Sequence, residues 1–214
     1  MSKNKKIIVF TGPSLLPNEA NKILEADYRP PVSRGDVTKA LKDKPDIIII
    51  IDGLFHQKPA VSHKEILEAI NNNVIVVGGA SMGALRAAEL DDLGMIGVGQ
   101  VYKDYRRGNI ESDDDVAVVI NPETLEQLSE ALISMNYNFK AAMDEDVINE
   151  AEYKILVKTA KSIYYPKRTY DKVFKESKLE IEDLKRIRKF LNENMVDIKR
   201  EDAVSVLKFV KNMK

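Results

Sequence analysis

Residues 74–90 read VIVVGGASMGALRAAEL, and the chain changes character in the middle of them. Residues 74–79 form an apolar, β-branched run too short for a helix, as expected of a strand buried on both faces of a parallel sheet. What begins near Met82 reads as a helix. Between the two, Gly79-Ala80-Ser81-Met82-Gly83 has the pattern Gly-x-Ser-x-Gly. Strand, motif and helix in this order can expose a hydroxyl on a sharp turn. The same order can cradle an anion on backbone N–H groups, or simply pack a helix close to a strand.

Two further runs match the first: IIVF at residues 7–10 and IIIIID at 47–52. Helical segments lie between them. Ala20, Ile23 and Leu24 share one face after Pro17, Asp36 is placed to cap a segment from Val37, and Ser62 or His63 opens another carrying Ile66, Leu67 and Ile70. Alternating strands and helices imply right-handed βαβ units. The expected fold is therefore α/β: a mostly parallel, Rossmann-like sheet flanked by helices over residues 1–120. Residues 98–120 (VGQVYKDYRRGNIESDDDVAVVI) read as one or two more strands around a polar turn. Asn121-Pro122 then carries a helix-start signal. Apolar residues recur at helical spacing from Leu125 to Val210, so 121–214 is expected to be an all-helical C-terminal lobe.

The 214 residues carry 33 basic and 34 acidic side chains. This balance gives no global field toward nucleic acid or an anionic membrane surface. There is no cysteine, which removes disulfides, thiolate metal sites and cysteine nucleophiles together. No run approaches a bilayer span, and the apolar run after MSKNKK is too short for a signal segment. A soluble cytoplasmic protein is expected, without cofactor or metal, and with oligomerisation left open. Asp113-Asp114-Asp115 reads as a solvated turn rather than a magnesium handle. TGPS and GASMG lack the P-loop lysine and the dinucleotide-binding glycine spacing.

In an open parallel sheet, function collects where loops leave the carboxyl ends of strands. The first such loop offers Gly12 and Ser14. The loop after residues 47–52 holds Asp52 and both histidines, His56 and His63. The segment YRPPVSRGD adds Arg34 and Asp36 in a Pro- and Gly-rich context typical of binding loops. A serine nucleophile needs an adjacent base and backbone donors for the developing oxyanion. Ser81 is the candidate nucleophile or oxyanion donor, His63 and then His56 the base, and Asp52 its orienting carboxylate. Asp36 and Glu65 are alternatives for that last role. Gly79, Met82 and Gly83 are the backbone donors or close-approach positions at the helix start, with Arg34, Lys64 and Arg86 as cations for an anionic ligand. Each has a bland counterpart: a cap for His63, a salt bridge to Glu89 or Asp91 for Arg86, close packing for the glycines.

Together, GPSL, YRPPVSRGDV, IIDGLFHQKPAVSHKEIL, GGASMGALRAAELDDLGMIGVGQVY and DDDVAV resemble the core domain of TfuA-like proteins, from Phe10 to Val118. The helical lobe carries no matching motif. The resemblance implies a partner for a YcaO enzyme, which uses ATP to convert a peptide backbone amide to a thioamide. It implies hydrolysis of the thiocarboxylated C-terminus of a ThiS-type ubiquitin-like sulfur carrier, releasing sulfide. In methanogenic archaea such pairs are associated with the thioglycine of methyl-coenzyme M reductase. The alternative is a docking module, without chemistry of its own, that brings the carrier to YcaO. The resemblance transfers no catalytic residue. A thiocarboxylate is an anion and resists nucleophilic attack, so a site for it needs cations or N–H groups.

Overall fold

A computed structural model describes residues 5–54, 58–121 and 123–213. The chain divides into two compact units, Met1–Glu111 with Lys199–Lys214, and Ser112–Ile198.

The first unit is built on five parallel strands, β1 (Ile7–Phe10), β2 (Asp27–Arg29), β3 (Ile47–Ile50), β4 (Ile75–Gly78) and β5 (Ile96–Gly97), in the order β2-β1-β3-β4-β5. Every residue of β1 and β3 is buried, because helices cover both faces; this is why these strands are apolar without alternation. Ile8, Phe10, Ile48, Ile50 and Val76 pack against helices α2 (Asp36–Leu41), α3 (His63–Asn71) and α4 (Met82–Leu90). Ile7, Val9, Ile47, Ile49 and Val77 face the other way, against α1 (Pro17–Ile23). The chain steps from β1 outward to β2, then back across to β3. With right-handed crossovers, that reversal puts α1 and α2 on opposite faces. The switch point therefore lies between β1 and β3, where open α/β sheets bind their ligands.

Residues 98–120 differ from the strands expected of them. They contain helix α5 (Gln100–Arg106) and a 3₁₀ turn at Asp113–Asp115. The cap of α5 comes from far along the chain: Asp202 accepts from the Gln100 N–H (2.7 Å) and the Val101 N–H (2.8 Å). Asp202 lies on α10 (Ile198–Asn212), whose Ala203, Val206, Leu207 and Val210 pack into the α1 face of the sheet. Residues from Lys199 onward, helical in spacing like those before them, thus belong to the sheet unit. Asn121 caps a turn rather than a helix: its Oδ1 accepts from the Glu123 and Thr124 N–H groups, and Leu125 at φ 61° breaks the helical path.

The second unit packs α6 (Leu132–Asp144), α7 (Glu150–Ser162), α8 (Tyr170–Ser177) and α9 (Ile181–Asn194) around Phe139, Leu156, Val173, Phe174 and Ile187. Asn149 caps α7 in a capping box with Glu152, and Thr169 caps α8. Tyr170 meets Phe139 edge-on, as a helix-packing aromatic. Among the described residues no helix is long and apolar enough to cross a membrane.

Candidate functional site at the carboxyl edge of the sheet

Asp52, directly beyond β3, is 2 % exposed. Its Oδ2 accepts from the Gly12 N–H (2.8 Å) and the Ser14 N–H (3.1 Å), and its Oδ1 from the Ser14 hydroxyl (2.6 Å). The carboxylate is spent on tying the β1 loop to the end of β3. Gly12 is required there, since a Cβ would lie 2.5 Å from Pro31 Cγ. Among the described residues Asp52 orients no imidazole; its work is to hold the switch point together.

The stretch that ends β4 makes a tight turn before α4. Ser81 N–H donates to Gly79 O at 2.9 Å, a three-residue γ-turn with Ala80 at its centre and φ 67°. Positive φ at a γ-turn centre is rare and strained for any residue with a Cβ. Ser81 follows with φ −128° and ψ −116°, outside the extended region usual for an N-cap. Its hydroxyl caps nothing and makes no hydrogen bond to a described residue, and the residue is 3 % exposed. By contrast Ser62, the N-cap of α3, accepts from the Glu65 N–H and forms a full capping box.

The glycines around Ser81 have a packing cause. A Cβ on Gly83 would lie 1.8 Å from Ile50 O, one on Gly78 2.2 Å from Gly83 O, and one on Gly79 2.4 Å from Val98 O. The helix start is pressed against the sheet, and most of its amides are already taken, one by the end of β3 and two by the Ser81 carbonyl. Gly83 N–H donates to Ile51 O, and Ala84 and Leu85 N–H both donate to Ser81 O. The expected cradle of several N–H groups is thereby corrected to one: in this first turn, the Met82 N–H has no acceptor among the described residues. That is the residue after the serine, the position that supplies an oxyanion donor in strand–turn–helix nucleophile motifs.

His63 is half-exposed on the first turn of α3, and its Nε2 lies 2.8 Å from Glu89 Oε2. Glu89 also takes Arg86 Nη1 at 2.6 Å, and Arg86 Nε donates to Val61 O at 3.0 Å. Arg86 is thus not an open cation, and its salt-bridge alternative is the observed one. Glu65 closes the capping box with Ser62 and accepts from the Gly35 N–H. Lys64 is exposed beside His63. His56 lies outside the described residues.

Arg34 and Asp36 sit at a separate opening on the same edge, a cleft of about 470 Å³ at the carboxyl ends of β1 and β2. Asp36 does not cap α2, whose N-cap is Gly35 at φ 90°. Its carboxylate accepts instead from the Ser33 N–H and hydroxyl and from Lys39. Burial alone would raise this carboxyl; the Ser33 and Lys39 hydrogen bonds outweigh it and hold the group below the usual carboxylate range. The Arg34 N–H donates to Pro59 O at 2.9 Å, fastening this loop to the β3 loop beside Lys58. Lys58, Ala80 and Glu89 lie inside the quoted motifs, but the sequence pointed to a role for only one of them, Glu89, through its spacing of three from Arg86.

No curated protein matches the sequence. The sequence profile of the TfuA-like protein family, which is associated with YcaO-type thioamidation, matches residues 52–169, more than half of the chain. The match takes in the Asp52, His63 and Ser81 segments and extends beyond Val118, while the Gly12 and Arg34 loops precede it. The chain belongs to the TfuA-like protein family.

Proposed function

We propose that this chain serves a YcaO enzyme by taking the thiocarboxylated C-terminus of a ThiS-type sulfur carrier and hydrolysing it at Ser81. The observation that carries this reading is an N-cap serine whose hydroxyl does not cap, set between a strained turn at Ala80 and an open Met82 N–H. Among the described residues no buried side-chain polar atom lacks a partner, so the unpartnered Ser81 hydroxyl is the part of this largely buried residue that keeps contact with solvent, and strained backbone collects at sites of chemistry. In the reaction, water and the carrier's thiocarboxylate yield a carboxylic acid and hydrosulfide. Attack on the acyl carbon forms the new C–O bond, the Met82 N–H meets the developing oxyanion, and the C–S bond breaks with hydrosulfide leaving.

A second reading, a docking module without chemistry, is favoured by the depth of Ser81 and by the engagement of His63 with Glu89. One experiment separates them. The chain is incubated with thiocarboxylated carrier, and carrier mass and free sulfide are followed. The hydrolase reading expects sulfide release that falls roughly a hundredfold or more in Ser81→Ala, as for loss of a nucleophile or oxyanion donor. Full thioamide formation by Ser81→Ala together with YcaO and carrier would refute it and leave docking.

A further inference from the structure

The cleft at the carboxyl ends of β1 and β2 lies beyond the residues that hydrolysis employs, and its lining has a chemistry of its own. Phe10, Pro30, Pro31 and Leu54 give it apolar walls. Four cations reach it: Arg29, Arg34, Lys39 and Lys58. Arg29 is held by Asp27 and Asp43, and Lys39 by Asp36. Arg34 and Lys58 have no carboxylate partner among the described residues, although most arginines of the chain are paired, as at Arg86, Arg106, Arg168, Arg186, Arg188 and Arg200.

The frame that carries these two cations is stiff. Val32 N–H donates to Asp52 O and Leu54 N–H to Val32 O, a short parallel bridge between the two loops, and Arg34 N–H to Pro59 O continues it. Consecutive prolines fix the backbone on one wall. The one carboxylate of the lining, Asp36, already has Ser33 and Lys39 as partners, so its repulsion of an incoming anion is partly neutralised. Two unpaired cations on a preformed frame, against apolar walls, match an oxyanion carried on a neutral stem.

We propose that this cleft is an oxyanion-binding site, apart from Ser81, in which Arg34 and Lys58 hold the carrier's terminal carboxylate once sulfide has left. It rests on the function proposed above, in that it names where the product of that reaction is held. A carboxylate and a phosphate present the same chemistry to these cations, so the test carries both.

Binding is measured by calorimetry on the full chain, with four probes: the carrier ending in Gly-Gly carboxylate, the same carrier with a C-terminal amide, inorganic phosphate and AMP. Arg34→Ala, Lys58→Ala and Arg34→Glu are compared with the unaltered protein, and far-ultraviolet circular dichroism checks folding. Both side chains are exposed, so these variants keep the fold. The expected result is a roughly tenfold or greater loss of carrier affinity in each single variant, a larger loss in Arg34→Glu, and a similar loss for the amide-ended carrier. Equal affinity for the acid- and amide-ended carriers, or variants that bind as the unaltered protein does, would overturn the proposal. Phosphate or AMP binding that depends on Arg34, without carrier binding, overturns the carrier as its ligand and assigns the cleft to a phosphate. Sulfide release is measured in parallel. If Arg34 variants bind carrier normally while Ser81→Ala loses release, the cleft assignment fails and the hydrolase survives. If the unaltered protein binds carrier through Arg34 but releases nothing, hydrolysis fails and the cleft stands.

Discussion

The Ser14 hydroxyl donates to Asp52 at 2.6 Å, and with the Gly12 and Ser14 N–H groups it fills a carboxylate that is 2 % exposed. Removing the carboxylate leaves three buried donors unpaired. Asp52→Ala is expected to lower unfolding free energy by about 3 kcal/mol, the scale for losing charge-assisted hydrogen bonds. Asp52→Asn costs less, because its amide oxygen still accepts on one side. Urea denaturation measures both. Were Asp52 instead the carboxylate that orients a catalytic imidazole, Asp52→Ala would keep its denaturation midpoint and lose only sulfide release.

Opposite substitutions on the two sides of Ser81 should act in opposite directions. Gly83→Ala places a methyl group 1.8 Å from Ile50 O, a backbone atom of the central strand that cannot step aside. The expected cost is about 3 kcal/mol or more, at the severe end of overpacking. Ala80→Gly removes the penalty of φ 67° and should stabilise by about 1 kcal/mol. If the strain serves to aim the Ser81 hydroxyl, the same Ala80→Gly protein is more stable and slower at sulfide release. A variant that is stabler and equally fast would detach the strain from the chemistry.

How much of this was legible beforehand depends on where each constraint originates. β1, β3 and β4 stand out because strands covered on both faces must be apolar throughout, and no distant residue is needed to see it. β2 does not: Asp27-Tyr28-Arg29 is a three-residue edge strand, protected by the Arg29 ion pairs to Asp27 and Asp43, and it has no apolar period. Helix α5 was hidden because its cap, Asp202, lies 102 positions away from Gln100. α10 has the spacing of any amphipathic helix, and only the open face of the sheet decides where Ala203, Val206 and Leu207 go. At the site, the motif exposed Ser81 and its glycines. The γ-turn at Ala80 and the capture of His63 by Glu89 depend on backbone angles and on packing between helices, which no local pattern records.

Two aspartates give acid unfolding contributions of opposite sign. Burial opposes the charge of Asp36, but the hydrogen bonds from Ser33 and Lys39 prevail, and its folded pKa lies below the unfolded value of about 3.9. Its stabilisation is therefore present above about pH 4 and is lost as pH falls through the folded value. For Asp202, burial outweighs the two amide bonds and the folded pKa is raised. Its contribution is present below about pH 4 and is lost as pH rises through the folded value. Asp36→Asn should flatten the fall of stability on the acid side, and Asp202→Asn should flatten the fall on the other. Urea midpoints from about pH 2 to about pH 6 check both. Identical pH profiles for the two variants would contradict the assignment.

Arg168 is 0 % exposed and is the least ordinary charge of the helical unit. Its Nε donates to Ala160 O (3.0 Å), Nη1 to Asp114 O (3.2 Å) and Nη2 to Asp114 Oδ2 (2.6 Å). The acidic run at 113–115 is therefore only in part a solvated turn: Asp113 is exposed, but Asp114 is bound to Arg168 and Asp115 is buried at 6 % exposure. A planar fork meets three acceptors at once, which a lysine ammonium on a flexible stem does not reproduce. Arg168→Lys should recover only part of what Arg168→Ala loses, and the alanine variant should lose about 3–5 kcal/mol, the scale for breaking a buried pair. Asp114→Ala leaves the guanidinium buried against carbonyls alone, so it should cost far more than its 38 % exposed side chain suggests. The double variant Arg168→Met, Asp114→Ala removes both charges together. Its cost should fall short of the two single costs added, with a coupling of about 1–3 kcal/mol in a double-mutant cycle read by urea denaturation. Additive costs would mean that Arg168 holds the helical unit through the carbonyls and its own packing alone, and that Asp114 is a bystander.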